Sequence, residues 1–193
     1  VPKQSREDLV GFVNNGGGVW IVPDPDMPPL RLNEAFGPLL KGTMIGQLRE
    51  PDQVQPLETA EGRIGHPMLL PLLREQWGDV RDIHFTRYFG LEATGGAEPA
   101  LIAGNGDWLA AVIRHGEGQV FLQLFSADLQ STSLPRSTAF VPFVQEVSAA
   151  LGDRRLDQSV DMMRVGEVRR MRLRAFRGLA GEVDVQGPEA RQF

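Results

Sequence analysis

The stretch Leu9–Pro23, LVGFVNNGGGVWIVP, changes its periodicity twice within one short run. Leu9, Phe12 and Val13 recur at helical spacing. Upstream, Ser5 with Asp8 three positions on reads as an N-cap and an acidic first turn. Asn14-Asn15-Gly16-Gly17-Gly18 then stops the helix, because Asn and Gly tolerate the left-handed conformation of a C-cap. Val19 to Val22 is apolar throughout, with no polar alternation. That pattern predicts a strand buried on both faces, as inside a parallel sheet. Helix, glycine turn and buried strand make the second half of a βαβ unit. Its first strand is expected upstream of Val1, and a chain opening on Val1 without Met reads as a piece of a longer polypeptide.

Downstream, PDPDMPP (Pro23–Pro29) is a loop, since each proline removes a donor and turns its predecessor away from helix. The loop is read as running to Asn33, with a short helix over about 33–40 that Pro38 curtails. Residues 49–63 read as strand and loop, Pro67–Gln76 as a helix with proline at its start, and Asp79–Glu92 as a strand region. Three strands follow, Pro99–Ala103, Trp108–Arg114 and Gln119–Phe125, joined by the glycine-bearing turns Asn105-Gly106 and Gly116-Glu117-Gly118 that antiparallel hairpins need. Ser131–Ser137 is a polar loop. A helix from Ala139 to Leu151 presents Phe140, Val141, Val144, Val147 and Leu151 on one side, and Gly152 closes it. Beyond a linker at Asp153–Ser159 the period becomes two. Met171, Leu173 and Ala175 alternate with Arg170, Arg172 and Arg174, and Val183 and Val185 mark a further strand.

The 193 residues suit one full domain and part of a second. A charged share of 23% beside 41% hydrophobic is that of an ordinary globular chain with a sizeable core. A net charge of −5 speaks against a general nucleic-acid binder, which needs a basic footprint. The chain has no cysteine, so thiolate nucleophiles, disulfides and Cys-based zinc sites are out. No apolar run approaches the roughly 18–20 residues of a membrane span, and no signal peptide is visible.

Candidate chemistry is sparse. No Gly-x-Ser-x-Gly elbow occurs. Ser126 and Asp128 follow an apolar strand, but His115 lies at that strand's other end, so a triad is disfavoured against local loop hydrogen bonds. His66, His84 and His115 share no metal-binding spacing, and His66 reads as a helix cap. Asp24 and Asp26 have no third oxygen ligand near them in sequence. Gly16–Gly18 stands between helix and strand, the reverse of a dinucleotide fingerprint. Arg164, Arg169, Arg170, Arg172, Arg174 and Arg177 read as the outer face of an exposed strand, guarded against edge pairing; an anion-binding module is the other use for them. Ligands of open α/β sheets sit beyond the carboxyl ends of the strands. The candidate ligand-binding residues are therefore Asp24, Asp26 and Asn33 after the first strand and Ser126 and Asp128 after the last.

LVGFVNNGGGVWIVP resembles the FVxxGGG-plus-apolar segment of class I glutamine amidotransferase-like domains. HPML, RYFGL and LAAVIRHGEGQVFLQLFSADLQSTSLPRSTAFVPFVQEVSAAL resemble, in order and spacing, the second half of such domains. The resemblance covers Val1 to Gly152 and is strongest to the version in large bacterial membrane-anchored proteins, which carry an aerotolerance-regulator-type double membrane helix and often a von Willebrand factor A-like domain. It implies an α/β fold: a flavodoxin-like or amidotransferase-like three-layer sandwich (1–152) with antiparallel extension strands, then a linker and a partial β-sandwich (153–193). True amidotransferases use a Cys nucleophile with a late His and a Glu or Asp. Here the expected His position reads Ser126-Ala127-Asp128, and there is no Cys to map.

The resulting expectation is a non-catalytic binding or scaffolding domain of a larger bacterial cell-envelope protein, on the periplasmic side of the inner membrane. It needs no cofactor or metal. Its partner is another protein or another domain of the same chain, not nucleic acid, and it meets the membrane only through flanking segments. The alternative is a carboxylate-dependent hydrolase of the same superfamily using Asp24, Asp26 or Asp128.

Overall fold

The structure is a computed structural model that describes residues 3–57, 66–73 and 80–152. The chain divides into two compact units, Val1–Ser159 and Val160–Phe193, and every described residue belongs to the first. The arginine-alternating tail and the β-sandwich expected over 153–193 lie outside the described residues.

Helix α1 (Lys3–Asn14) leads through the glycine turn to strand β1 (Gly18–Ile21). Ser5 lies inside α1 rather than at its N-cap, since the helix starts two residues earlier. At the other end, Gly16 has φ 92°, and the amides of Gly16 and Gly17 donate to the carbonyls of Val13 and Phe12 at 2.9 and 3.0 Å. That is a Schellman cap, and it explains why the run needs glycine where it turns.

A four-stranded mixed sheet has the order β1-β8-β7-β6, with β6 Ala97–Ile102, β7 Trp108–His115 and β8 Gly118–Gln123. β6, β7 and β8 form the expected antiparallel meander. β1 pairs parallel with β8 over Gly18↔Gln119 to Ile21↔Leu122. Among the described residues β1 is therefore an edge strand with one parallel neighbour, and three of its four residues are only partly buried. Its apolar run nonetheless serves two faces. Trp20 packs with Phe121, Val112 and helix α3 (Phe140–Gly152). Val19 and Ile21 pack with Val120, Leu122, Ile113, α1 and helix α2 (Pro29–Leu40). Helices thus cover both faces of a mixed sheet.

The α3 side is aromatic. Trp20 meets Phe121 and Phe143 edge-on at 5.9 and 5.8 Å. Its indole N–H donates to Gln123 Oε1 at 3.2 Å, and Gln123 Nε2 donates to the Phe125 carbonyl at 2.8 Å. The one fully buried polar side chain in that layer of β8 is thus satisfied on both ends, as burial demands. On α3 the buried positions are Pro142, Phe143, Val147 and Ala150, and Phe140, Val144 and Leu151 pack against the same cluster, so of the five residues expected on the apolar side only Val141 points outward.

Three further differences matter. Helix α2 spans twelve residues with Pro38 inside it, so the loop after β1 ends at Pro28 and Asn33 is helical. Pro67–Leu73 is a 3-10 helix; Met68 N–H donates to His66 Nδ1 at 3.4 Å and Leu69 N–H to the His66 carbonyl at 3.0 Å. The 43–94 region holds strand β2 (Thr43–Arg49), the short β3 (Gln55–Pro56) and β4 (His84–Phe85), and β5 (Tyr88–Thr94), which pairs antiparallel with β2.

Candidate functional site at the carboxyl end of the sheet

The two ends of the sheet differ in what closes them. At the amino end of β1 and β8 the helix C-termini converge. His115, beside Gly118, reaches Asn14 Oδ1 (2.7 Å) and the Pro38 carbonyl (3.0 Å), and Gln119 Nε2 donates to the Ala150 carbonyl at 2.9 Å. Since the late residues of α1, α2 and α3 lie there, the N-termini of α2 and α3 lie at the opposite, carboxyl end. Loops 22–28 and 124–139 leave β1 and β8 at that end. The Asn105–Asp107 turn is there too, because Leu124 N–H donates to the Leu109 carbonyl next to it. The five residues singled out from the sequence sit on these segments or at the start of α2.

Asp128 anchors its own loop. Its Oδ1 accepts from the amides of Gln130 and Ser131, both at 2.8 Å, and its Oδ2 from the Ser131 hydroxyl at 3.3 Å. The Ser126 hydroxyl bonds it as well. Ser126 first, then, against an upward push from burial, the Ser131 and Gln130 amides hold the Asp128 carboxyl below its ordinary value. A carboxylate so stabilised is a weak proton acceptor, so Ser126 gains no strong base from it. His115 is a strand away, about 20 Å at about 3.3 Å per residue.

The rest of this loop is sewn into the body. Thr86 N–H donates to the Ser131 carbonyl (2.9 Å), Thr132 Oγ1 to the His84 carbonyl (2.9 Å), and His84 N–H to Ser133 Oγ (2.9 Å). Ser131, Thr132 and Leu134 are buried, so the polar loop expected over Ser131–Ser137 packs against the body.

On the other loop Asp24 Oδ1 accepts the Asp26 amide at 2.9 Å and the Asp24 carbonyl accepts the Met27 amide at 3.0 Å, an Asx-type turn. Both carboxylates are exposed. Asn33 faces inward and uses both ends of its amide on one residue: Nδ2 donates to the Ile45 carbonyl at 2.7 Å and Oδ1 accepts the Ile45 N–H at 2.9 Å. It pins α2 to β2.

A second polar group at this end went unseen in the sequence. The buried Tyr88 hydroxyl donates to Asp107 Oδ2 at 3.0 Å and accepts from Asn105 Nδ2 at 3.0 Å, and Arg49 pairs with Asp107. Arg49 lies over Gly90, where a Cβ would come within 2.5 Å of Nε, so a side chain there would make the guanidinium shift. Burial raises the Tyr88 phenol, which keeps it a neutral donor. For Asp107, burial pushes upward, but hydrogen bonds from Arg49 and Tyr88 and the Arg49 charge outweigh it and leave the carboxyl low. Asn105-Gly106 was legible as a turn; nothing in the sequence links it to Arg49 or Tyr88.

An open cleft of about 290 Å³ lies at the approach to α3, lined by Asp82, Ser133, Arg136, Ser137 and Thr138. No group of three His, Asp or Glu side chains among the described residues is arranged to hold a metal ion.

No family model and no curated protein matches this chain. Among solved structures it is similar to a β-galactosidase from Rahnella sp. R3 (18% identity, 77% of this chain and 21% of that one, TM-score 0.48). It is similar also to an exo-β-1,4-mannosidase from Opitutaceae bacterium strain TAV5 (21% identity, 78% and 23%, TM-score 0.43). A cytoplasmic protein of Salmonella typhimurium LT2 is a third such structure (14% identity, 77% and 58%, TM-score 0.49). The chain spans about a fifth of each glycosidase's length, and at these scores the likeness carries no activity over to it.

Proposed function

We propose that this chain is a non-catalytic binding domain with a flavodoxin-like, amidotransferase-like α/β/α arrangement, which docks another protein at the carboxyl end of its sheet. It belongs to a larger bacterial cell-envelope protein, on the periplasmic side of the inner membrane, with any membrane attachment in flanking segments. None of the described helices is long and apolar enough to cross a membrane.

One observation carries the reading. At the end of the sheet where this architecture places its chemistry, five side chains each make a bond that serves the fold. Asp128 holds Gln130 and Ser131, Asp24 holds Asp26, Asn33 holds Ile45, and Tyr88 and Arg49 converge on Asp107. A nucleophile needs a base left over to activate it.

The test is turnover. Purified protein is expected to release no ammonia from glutamine and to cleave no ester or glycoside above background. Any turnover that Ser126→Ala or Asp128→Asn abolishes, in protein whose circular dichroism is unchanged, would overturn the reading in favour of the carboxylate hydrolase.

A further inference from the structure

The carboxyl end of the sheet exposes apolar side chains beside its carboxylates. Eight large hydrophobic side chains are exposed among the described residues, and five of them belong to segments at this end: Val22, Met27, Leu30, Leu129 and Val141. Val22 follows the last residue of β1, Met27 sits on the next turn, Leu30 is in the first turn of α2, Leu129 is on the loop after β8, and Val141 is in the first turn of α3. Leu30 is 70% exposed and Leu129 52%. Isolated exposed leucines are ordinary; their concentration at one end is what marks an interaction surface.

Charge restricts the partner. Asp24 and Asp26 precede Met27 on the same loop, both exposed and, among the described residues, without an ion pair. Arg31 is the one cation on the segment from Val22 to Leu32. The loop is also stiff before anything binds, with four prolines between Pro23 and Pro29 and the Asp24 turn holding Met27 in place. A preformed loop loses little conformational freedom on docking, and methionine adapts to the surface it meets.

We infer that this end of the sheet receives an amphipathic protein segment whose apolar side chains cover Val22, Met27, Leu30 and Leu129 and whose Lys or Arg side chains pair with Asp24 and Asp26. The inference rests on the binding-domain reading above and names the kind of partner.

Fluorescence anisotropy with two labelled helical peptides of the same pattern, one of leucine and lysine, the other of leucine and glutamate, tests it. The lysine peptide is expected to bind and the glutamate peptide not. Leu30→Glu and Leu129→Glu should each weaken binding about tenfold or more, the range for losing a buried leucine contact. Asp24→Asn with Asp26→Asn should weaken binding and flatten its salt dependence. Phe12→Glu, the same change at the opposite end, should leave it unaltered. Equal binding of both peptides, or indifference to Leu30→Glu and Leu129→Glu in protein that keeps its melting temperature, would overturn the inference. Turnover is measured separately, so failure here without catalysis leaves the binding-domain reading standing.

Discussion

The fold holds both His66 and Asp128 in their deprotonated forms, one neutral and one charged, and both make it weaker in acid. Burial lowers His66 from its ordinary 6.5, and its Nδ1 accepts the Met68 amide, a bond only the unprotonated nitrogen makes. Below that pH the unfolded chain takes up a proton the folded one resists, so this contribution is complete above 6.5 and fades as pH falls. Asp128 lies below its ordinary 3.8, so its contribution is complete above that value and is lost as the pH drops toward its folded value. Melting temperature against pH should therefore step down twice on acidification, first below about 6.5 and again below about 4. His66→Gln should remove the first step and Asp128→Asn the second; a curve flat from 7 to 5 in the wild type would contradict the His66 assignment. His66 was legible as a cap from Pro67 beside it. Asn33 was not legible, because what decides its role is Ile45 on the following strand, and its position after a proline-rich loop pointed outward instead.

At the scale of elements, α2 shows why a proline rule read from sequence misplaced a helix. Proline at 38 cannot donate to the carbonyl of Glu34 four residues back. That orphaned carbonyl accepts a hydrogen bond from Arg6 on α1 at 2.7 Å, and the Pro38 carbonyl takes His115 at 3.0 Å. The helix therefore continues from Pro29 to Leu40, sustained by side chains 28 and 77 residues away. Arg6→Ala is expected to cost about 1–2 kcal/mol in urea unfolding, the loss of a charged hydrogen bond to a carbonyl that Pro38 cannot serve. In a Pro38→Ala background, where residue 38 supplies its own N–H, the same change should cost less than about 0.5 kcal/mol. Additive effects would show that Arg6 acts elsewhere. The elements read correctly are those whose signals are local. The β6–β7–β8 meander declares itself by glycine turns and apolar strands, and α1–β1 by its Schellman glycines. The Arg49–Tyr88–Asp107 group is assembled from β2, β5 and a hairpin turn, and no local pattern encodes that meeting.

Across the whole molecule the sheet is polarised. Its amino end is closed by helix C-termini, by His115 and by Gln119; its carboxyl end is closed by loops that bond to themselves and leave hydrocarbon outside. The α/β class and the antiparallel run were legible from periodicity. That β1 is an edge strand among the described residues was not, because a strand with apolar residues on both faces looks the same whether it has one hydrogen-bonded neighbour or two.

The β1–β8 ladder also carries a consequence in time. It joins Gly18 to Gln119, roughly a hundred positions apart, whereas the hairpins of β6, β7 and β8 close over a few residues. Chain-closure entropy must be met before such a distant ladder repays it. The meander is expected to collapse early and the N-terminal strand to zip onto it last, gated by the search of the intervening polypeptide. Pulse-labelled deuterium exchange during refolding should find the Val120 and Leu122 amides, which face β7, protected before those of Val19 and Ile21, which face β8. Simultaneous protection would mean that the ends of this polypeptide meet before its middle is made.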